Sequence, residues 1–188
     1  MKIGIYPGSF DPIHLGHIKI INGILDDKLV DKILIVPTCD YWNKNVIASL
    51  ENRINMAKIF ESNNVLVETK DNQIMATYDF LQAKKSDYPN DEFYLILGGD
   101  NVENIEKWIN FAILIKYPFI IIGRDDFDRD YINSKFTKLN KHNYTILNVE
   151  NIDISSTAIR ESIKSKNLKE GLLDSRVFDY IVSNNLYI

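Results

Sequence analysis

Short runs of β-branched and aliphatic residues recur along the chain, with helix-length stretches between them. KIGIY (2–6), KILIV (32–36), VLVET (65–69), FYLIL (93–97), PFIII (118–122) and YTILNV (144–149) are the predicted strands. Several are almost continuous in Ile, Leu and Val, the pattern of strands buried on both faces. The stretches between them place apolar residues at helical spacing, as with Ile54, Ala57 and Ile59, or Ile105, Trp108, Ile109 and Ala112. Strands alternating with helices require right-handed crossovers. They predict an α/β fold, a doubly wound, Rossmann-like parallel sheet with helices on both faces. Residues 155–166 and 174–185 read as two further helices split by Gly171, a helical C-terminal tail. GRDDFDRDY (123–131) reads as a charged, solvated loop. No repeat or low-complexity linker interrupts the pattern, so 1–188 reads as a single domain with 155–188 as its helical C-terminal part.

Composition narrows the partners. With 22 basic and 26 acidic side chains the formal charge is −4, which argues against broad electrostatic binding of nucleic acid. Cys39 is the single cysteine, so no intrachain disulfide and no thiolate zinc cluster can form. The start KIGIY has no signal-peptide character, and the most apolar stretch, 111–123, is broken by Lys116 and Pro118. The expectation is a cytoplasmic chain with no membrane and no nucleic-acid partner. Aromatics such as Tyr187, expected to be exposed, either mark an interface, which leaves a homo-oligomer open, or simply pack at the tail.

In an open parallel sheet, ligands bind outside the carboxyl ends of the strands. The unusual residues fall there: YPGSFDPIHLGH (6–17), PTCDYWNK (37–44), GGDN (98–101), GR (123–124) and DISSTAIR (153–160) each follow a strand. Five such segments on one rim point to a ligand site. Gly8 and Ser9 occupy a strand-to-helix turn where an anion can approach the backbone. His14 and His17 are three apart, so a helix starting near Pro12 places them on one face of its first turn. Ser155 or Ser156 is a candidate N-cap with Arg160 one turn on. Hydroxyls, backbone N–H groups and a guanidinium fork suit a polyphosphate chain. His142 lies far off and no Cys or carboxylate has matching spacing, so no protein-held metal is expected.

The sequence has no GxxxxGK[ST], no GxGxxG after the first strand and no GxSxG elbow. A nucleotidyl transfer needs no acid–base pair when the attacking group is a phosphate already ionised at neutral pH. Alignment and charge stabilisation then suffice, with His14, His17, Lys44 and Arg160 as the donors and cations.

GSFDPIHLGH (8–17) with ISSTAIR (154–160) resembles the (H/T)xGH nucleotidyltransferase superfamily, and within it the bacterial nicotinate-nucleotide adenylyltransferases. VPTCDYWNK (36–44), SLENRINMAKIF (49–60), ATYDFL (76–81), LILGGDNVENIEKW (95–108) and the closing LLDSRVFDYIVSNNLYI (172–188) extend the likeness along the chain. The resemblance implies transfer of AMP from ATP to nicotinate mononucleotide, with Mg²⁺ carried on the substrate phosphates. It implies that His14 and His17 contact the ATP phosphates, with Ser155, Ser156 and Arg160 holding the triphosphate from the other side. Gly8, Ser9 and Phe10 would line the nucleotide crevice, Asp100 would contact the ribose region, and Gly123 and Arg124 would lie near adenine. Lys44, Thr77 and Trp108 would bind the mononucleotide, with the indole on the pyridine ring. The family's usual His-Lys is Asn43-Lys44 here, so only the lysine carries over. YPGSFDP is also similar to pantetheine-phosphate adenylyltransferases, which makes that acceptor the alternative, beside a non-catalytic nucleotide sensor.

Overall fold

Among the described residues, six strands form where the aliphatic runs place them: β1 (Lys2–Gly8), β2 (Lys32–Pro37), β3 (Val65–Val67), β4 (Glu92–Gly98), β5 (Phe119–Gly123) and β6 (Tyr144–Asn148). The computed structural model describes residues 1–38, 46–69, 77–123, 126–149 and 154–188, with the backbone alone for 126–128. Every strand pairing is parallel, in the order β3-β2-β1-β4-β5-β6. The order reverses between β1 and β4, and it is outside the carboxyl ends of the strands at such a point that open parallel sheets form their ligand crevice.

Strand alternation divides the apolar side chains between two cores. Ile33, Ile35, Ile96, Ile120 and Ile122 face one side, where α1 (Leu15–Asp26), α2 (Leu50–Lys58) and later α8 (Ser175–Ser183) cover them. Ile5, Leu95, Leu97, Phe119 and Ile121 face the other. There they meet α3 (Thr77–Asp87), the short α4 (Gly99–Val102) and α5 (Phe111–Leu114), and α6 (Asp126–Lys138). Each fully buried aliphatic side chain contributes about 2 kcal/mol of transfer free energy, so the two layers fix the sheet and its rim. A last helix pair closes the chain: α7 (Ser156–Lys164), capped by Ser155, and α8, capped by Asp174. Between them Gly171 adopts φ 77°, a left-handed turn that a side chain would strain.

Three expectations are corrected. The apolar spacing through Ile105, Trp108, Ile109 and Ala112 does not make one helix; a 3-10 turn at Ile105–Lys107 ends where Trp108 becomes extended (ψ 143°). Asn110 then takes a left-handed φ of 55° before α5 begins, and Ile109 is left exposed. The charged segment 123–131 is not a loop beyond residue 125, because α6 begins at Asp126; Ile132 and Phe136, both fully buried, anchor that helix on the second core. Tyr187 is not an exposed aromatic: it is buried in the first core.

Candidate active site

The turn from β1 into α1 is held on both sides. A Cβ on Gly8 would stand 2.8 Å from the Phe10 ring, so glycine is required where that ring folds back. Phe10 has a left-handed φ of 48° and is buried, its ring edge-on to Tyr6 at 5.4 Å and to His17 at 4.9 Å between centroids. Its side chain therefore belongs to the core, and what it offers the crevice is backbone. The Asp11–Pro12 peptide is cis.

His14 is the N-cap of α1, which starts at Leu15, and His17 is three residues on. Their rings stack with centroids 3.7 Å apart and planes 24° from parallel. The His14 backbone N–H donates to His17 Nδ1 at 3.2 Å. His14 is buried, and its Nδ1 has no hydrogen-bond partner among the described residues. Burial pushes the His14 pKa down to about 4. His17 is held well below the ordinary histidine value, first by desolvation and then by the neighbouring His14. Both rings are neutral at pH 7, and what they present is hydrogen-bonding capacity rather than charge.

The start of α7 is tied to this turn. Ser156 Oγ donates to the Pro12 carbonyl at 3.0 Å, and Arg160 Nη1 donates to the Asp11 carbonyl at 2.8 Å. Ser155 Oγ accepts the Ala158 N–H and closes the cap. Two helix N-termini, neither with an acidic residue in its first turn, are thus fastened together beside one crevice. Their dipoles favour an anion there.

Sequence reasoning missed the residues that fasten it. The Asp11 carboxylate, only 1% exposed, accepts the N–H groups of Ile47 (2.8 Å) and Ala48 (3.1 Å) and the hydroxyl of Tyr187 (2.6 Å). Arg160 Nη1 stands 3.6 Å from its second oxygen. Arg53, also buried, donates from Nη1 to the carbonyls of Ser9 and Thr38, each at 2.7 Å, and from Nε to Ala48. For Asp11 the available signal was a lone carboxylate between Phe10 and Pro12; Arg53, among Glu51, Asn52 and Asn55, carried none in its local pattern.

Across the crevice, Gly98 caps α4 and sets Asp100 in its first turn, where the carboxylate is exposed. Its charge reaches Tyr6, whose hydroxyl pKa is pushed up by burial and then by Asp100. Gly123 is buried at the end of β5, where a Cβ would stand 3.0 Å from Asn148 Oδ1. Thr77 opens α3 and is half-buried; Trp108 is half-buried against the second core. Lys44 and Arg124 lie outside the described residues. No group of three or more His, Cys, Asp or Glu side chains that could hold a metal occurs among the described residues. None of the described helices is long and apolar enough to cross a membrane.

Residues 5–162 match the sequence family described as cytidylyltransferase-like. The chain is 37% identical over 185 residues to a probable nicotinate-nucleotide adenylyltransferase of Fusobacterium nucleatum, covering 94% of this chain and 95% of that one. A protein of the same description from Flavobacterium psychrophilum is 31% identical, covering 100% of this chain and 99% of the relative. Among solved structures, a Plasmodium falciparum nicotinic acid mononucleotide adenylyltransferase complexed with NaAD is similar at a TM-score of 0.83 and 27% identity, across 99% of this chain and 97% of that one.

Proposed function

The chain belongs to the cytidylyltransferase-like family and, within it, to the nicotinate-nucleotide adenylyltransferases, and we propose that the two joined helix starts align its substrates. The reaction moves AMP from ATP to nicotinate mononucleotide, giving nicotinate adenine dinucleotide and pyrophosphate in NAD biosynthesis. The acceptor named for these relatives sets the pantetheine alternative and the sensor reading aside.

The observation that carries the mechanism is the tie from Ser156 and Arg160 to the Pro12 and Asp11 carbonyls, because it puts both anion-favouring helix ends at one place. A phosphate oxygen of the mononucleotide attacks the α-phosphorus of ATP. The new P–O bond forms as the bond to the β-phosphate oxygen breaks, and the electron pair leaves on pyrophosphate. The attacking oxygen is already ionised, so no base has to take a proton.

His17 Nδ1 is occupied as an acceptor, which leaves Nε2–H to donate to an α-phosphate oxygen. His14, stacked on His17, serves the same phosphates. The Gly8–Ser9 backbone, Phe10 through its main chain, and Ser155, Ser156 and Arg160 hold the triphosphate from two sides. Asp100 takes the ribose hydroxyls, and Gly123 with Arg124 the adenine. Lys44 meets the mononucleotide phosphate, Trp108 its pyridine ring, and Thr77 with the first N–H groups of α3 its carboxylate.

Asp11 is already committed to donors, so the rim offers imidazole, hydroxyl, N–H and guanidinium groups. That set fits phosphate oxygens rather than a bare divalent cation, and Mg²⁺ enters as part of the ATP substrate. These roles fit a cytoplasmic enzyme that works on small molecules.

The test is pyrophosphate release with ATP and Mg²⁺, offering nicotinate mononucleotide, nicotinamide mononucleotide and phosphopantetheine in parallel. Release with nicotinate mononucleotide is expected; release with phosphopantetheine alone would overturn the Thr77 and Trp108 assignments.

A further inference from the structure

Tyr187 arrives at Asp11 by a specific route. Helix α8 stops in a reversal: Asn185 takes a left-handed φ of 50°, its N–H donates to Val182 O, and the Leu186 N–H reaches back to Ile181 O at 3.0 Å. This paired closure turns the chain against the helix it has left. Tyr187, itself at φ 61°, then enters the first core, and its hydroxyl donates to Asp11 Oδ1 at 2.6 Å. Burial and the adjacent carboxylate push the Tyr187 pKa up, so the hydroxyl keeps its proton and remains a donor.

The other oxygen of the same carboxylate faces Arg160. Asp11 Oδ1 is shared by Tyr187 and the Ala48 N–H, while Oδ2 accepts from Ile47 and stands 3.6 Å from Arg160 Nη1, beyond hydrogen-bond distance. Arg160 is bound instead to the Asp11 main-chain carbonyl and lies at the rim with its side chain 14% exposed. A buried carboxylate with too few donors draws in the nearest cation. Here neutral donors satisfy it, and the guanidinium stays at the rim on the Asp11 carbonyl and Thr157 Oγ1.

We propose that Tyr187 is a positioning residue for the transfer: by satisfying the Asp11 carboxylate, it keeps the Arg160 guanidinium available to the ATP phosphates. The inference rests on the reading that Arg160 holds the triphosphate. Without the hydroxyl, Arg160 closes onto Asp11 Oδ2 and is withdrawn from the crevice.

The experiment compares wild type, Tyr187→Phe, Arg160→Gln and the double variant, by steady-state kinetics with ATP and nicotinate mononucleotide. Assays run well below each variant's melting temperature. Tyr187→Phe keeps the ring that fills the core and removes only the donor. The expected result is a fall of about tenfold in kcat/KM for ATP, with KM for the mononucleotide unchanged. In the Arg160→Gln background the same change has no further effect, because Tyr187 acts through the arginine. Wild-type ATP kinetics in Tyr187→Phe, or losses that simply multiply in the double variant, would overturn the proposal. An Arg160→Gln enzyme as active as wild type would instead refute the role given to Arg160.

Discussion

The backbone N–H of His14 donates to Nδ1 of His17 across 3.2 Å, and this bond selects the tautomer of the second imidazole. With Nδ1 accepting, the neutral ring carries its proton on Nε2. Nitrogen-15 chemical shifts of His17 at pH 7 are expected to show the Nε2–H form, in the free protein and without substrate.

A donor aimed at phosphate counts most where charge changes during transfer. His17→Ala is expected to lower kcat by about 100-fold, with at most a small change in KM for ATP. Steady-state rates at saturating nicotinate mononucleotide check this. A change confined to KM would mean that the ring binds ATP equally in ground and transition states.

The two histidines make the fold acid-sensitive. His14 titrates near 4 in the folded chain and near 6.5 when unfolded, so protons bind the unfolded state more tightly between those values. Stability is therefore complete above pH 6.5 and falls as pH drops toward 4, by about 2 kcal/mol at pH 5 from His14 alone. Urea denaturation from pH 7.5 to 5 is expected to show this slope, and His14→Gln to flatten it.

Arg53 joins three carbonyls that belong to different segments, those of Ser9, Thr38 and Ala48. Replacing it with methionine keeps volume and strands those acceptors in the interior. Arg53→Met is expected to cost about 3 kcal/mol by urea denaturation and to weaken ATP binding by calorimetry, since Ser9 loses its support.

Trp108, the residue proposed for the acceptor ring, packs against the second core. Trp108→Ala is expected to raise KM for nicotinate mononucleotide about tenfold and leave that for ATP unchanged. A carboxylate met by N–H groups also discriminates against an amide, whose NH₂ would face other donors. The wild-type enzyme should accordingly show a higher kcat/KM with the nicotinate than with the nicotinamide mononucleotide.

The sheet could be read from the sequence because burial on both faces leaves little room for polar residues. Ile33 to Val36 and Ile120 to Ile122 announce themselves for that reason. The crevice was inferable as well, since parallel strands put all their carboxyl ends on one edge. Helical spacing misled at Ile105–Ala112, where Asn110 in a left-handed conformation divides the pattern between two short elements. It was overlooked at α6, where surface charge hid the two anchors Ile132 and Phe136. The contact between Asp11 and Tyr187 was beyond reach, because no local pattern relates residues 176 apart, and Tyr187 was expected at the surface.

That separation bears on the order of events during folding. The Ile47 and Ala48 N–H groups reach the Asp11 carboxylate from 36 and 37 residues away, while the Tyr187 hydroxyl comes from 176 residues away. Closing so wide a loop costs more chain entropy, and non-local contacts of this kind form slowly. Completion of the β1–α1 turn is thus coupled to assembly of the whole sheet and of α8, rather than being a local event.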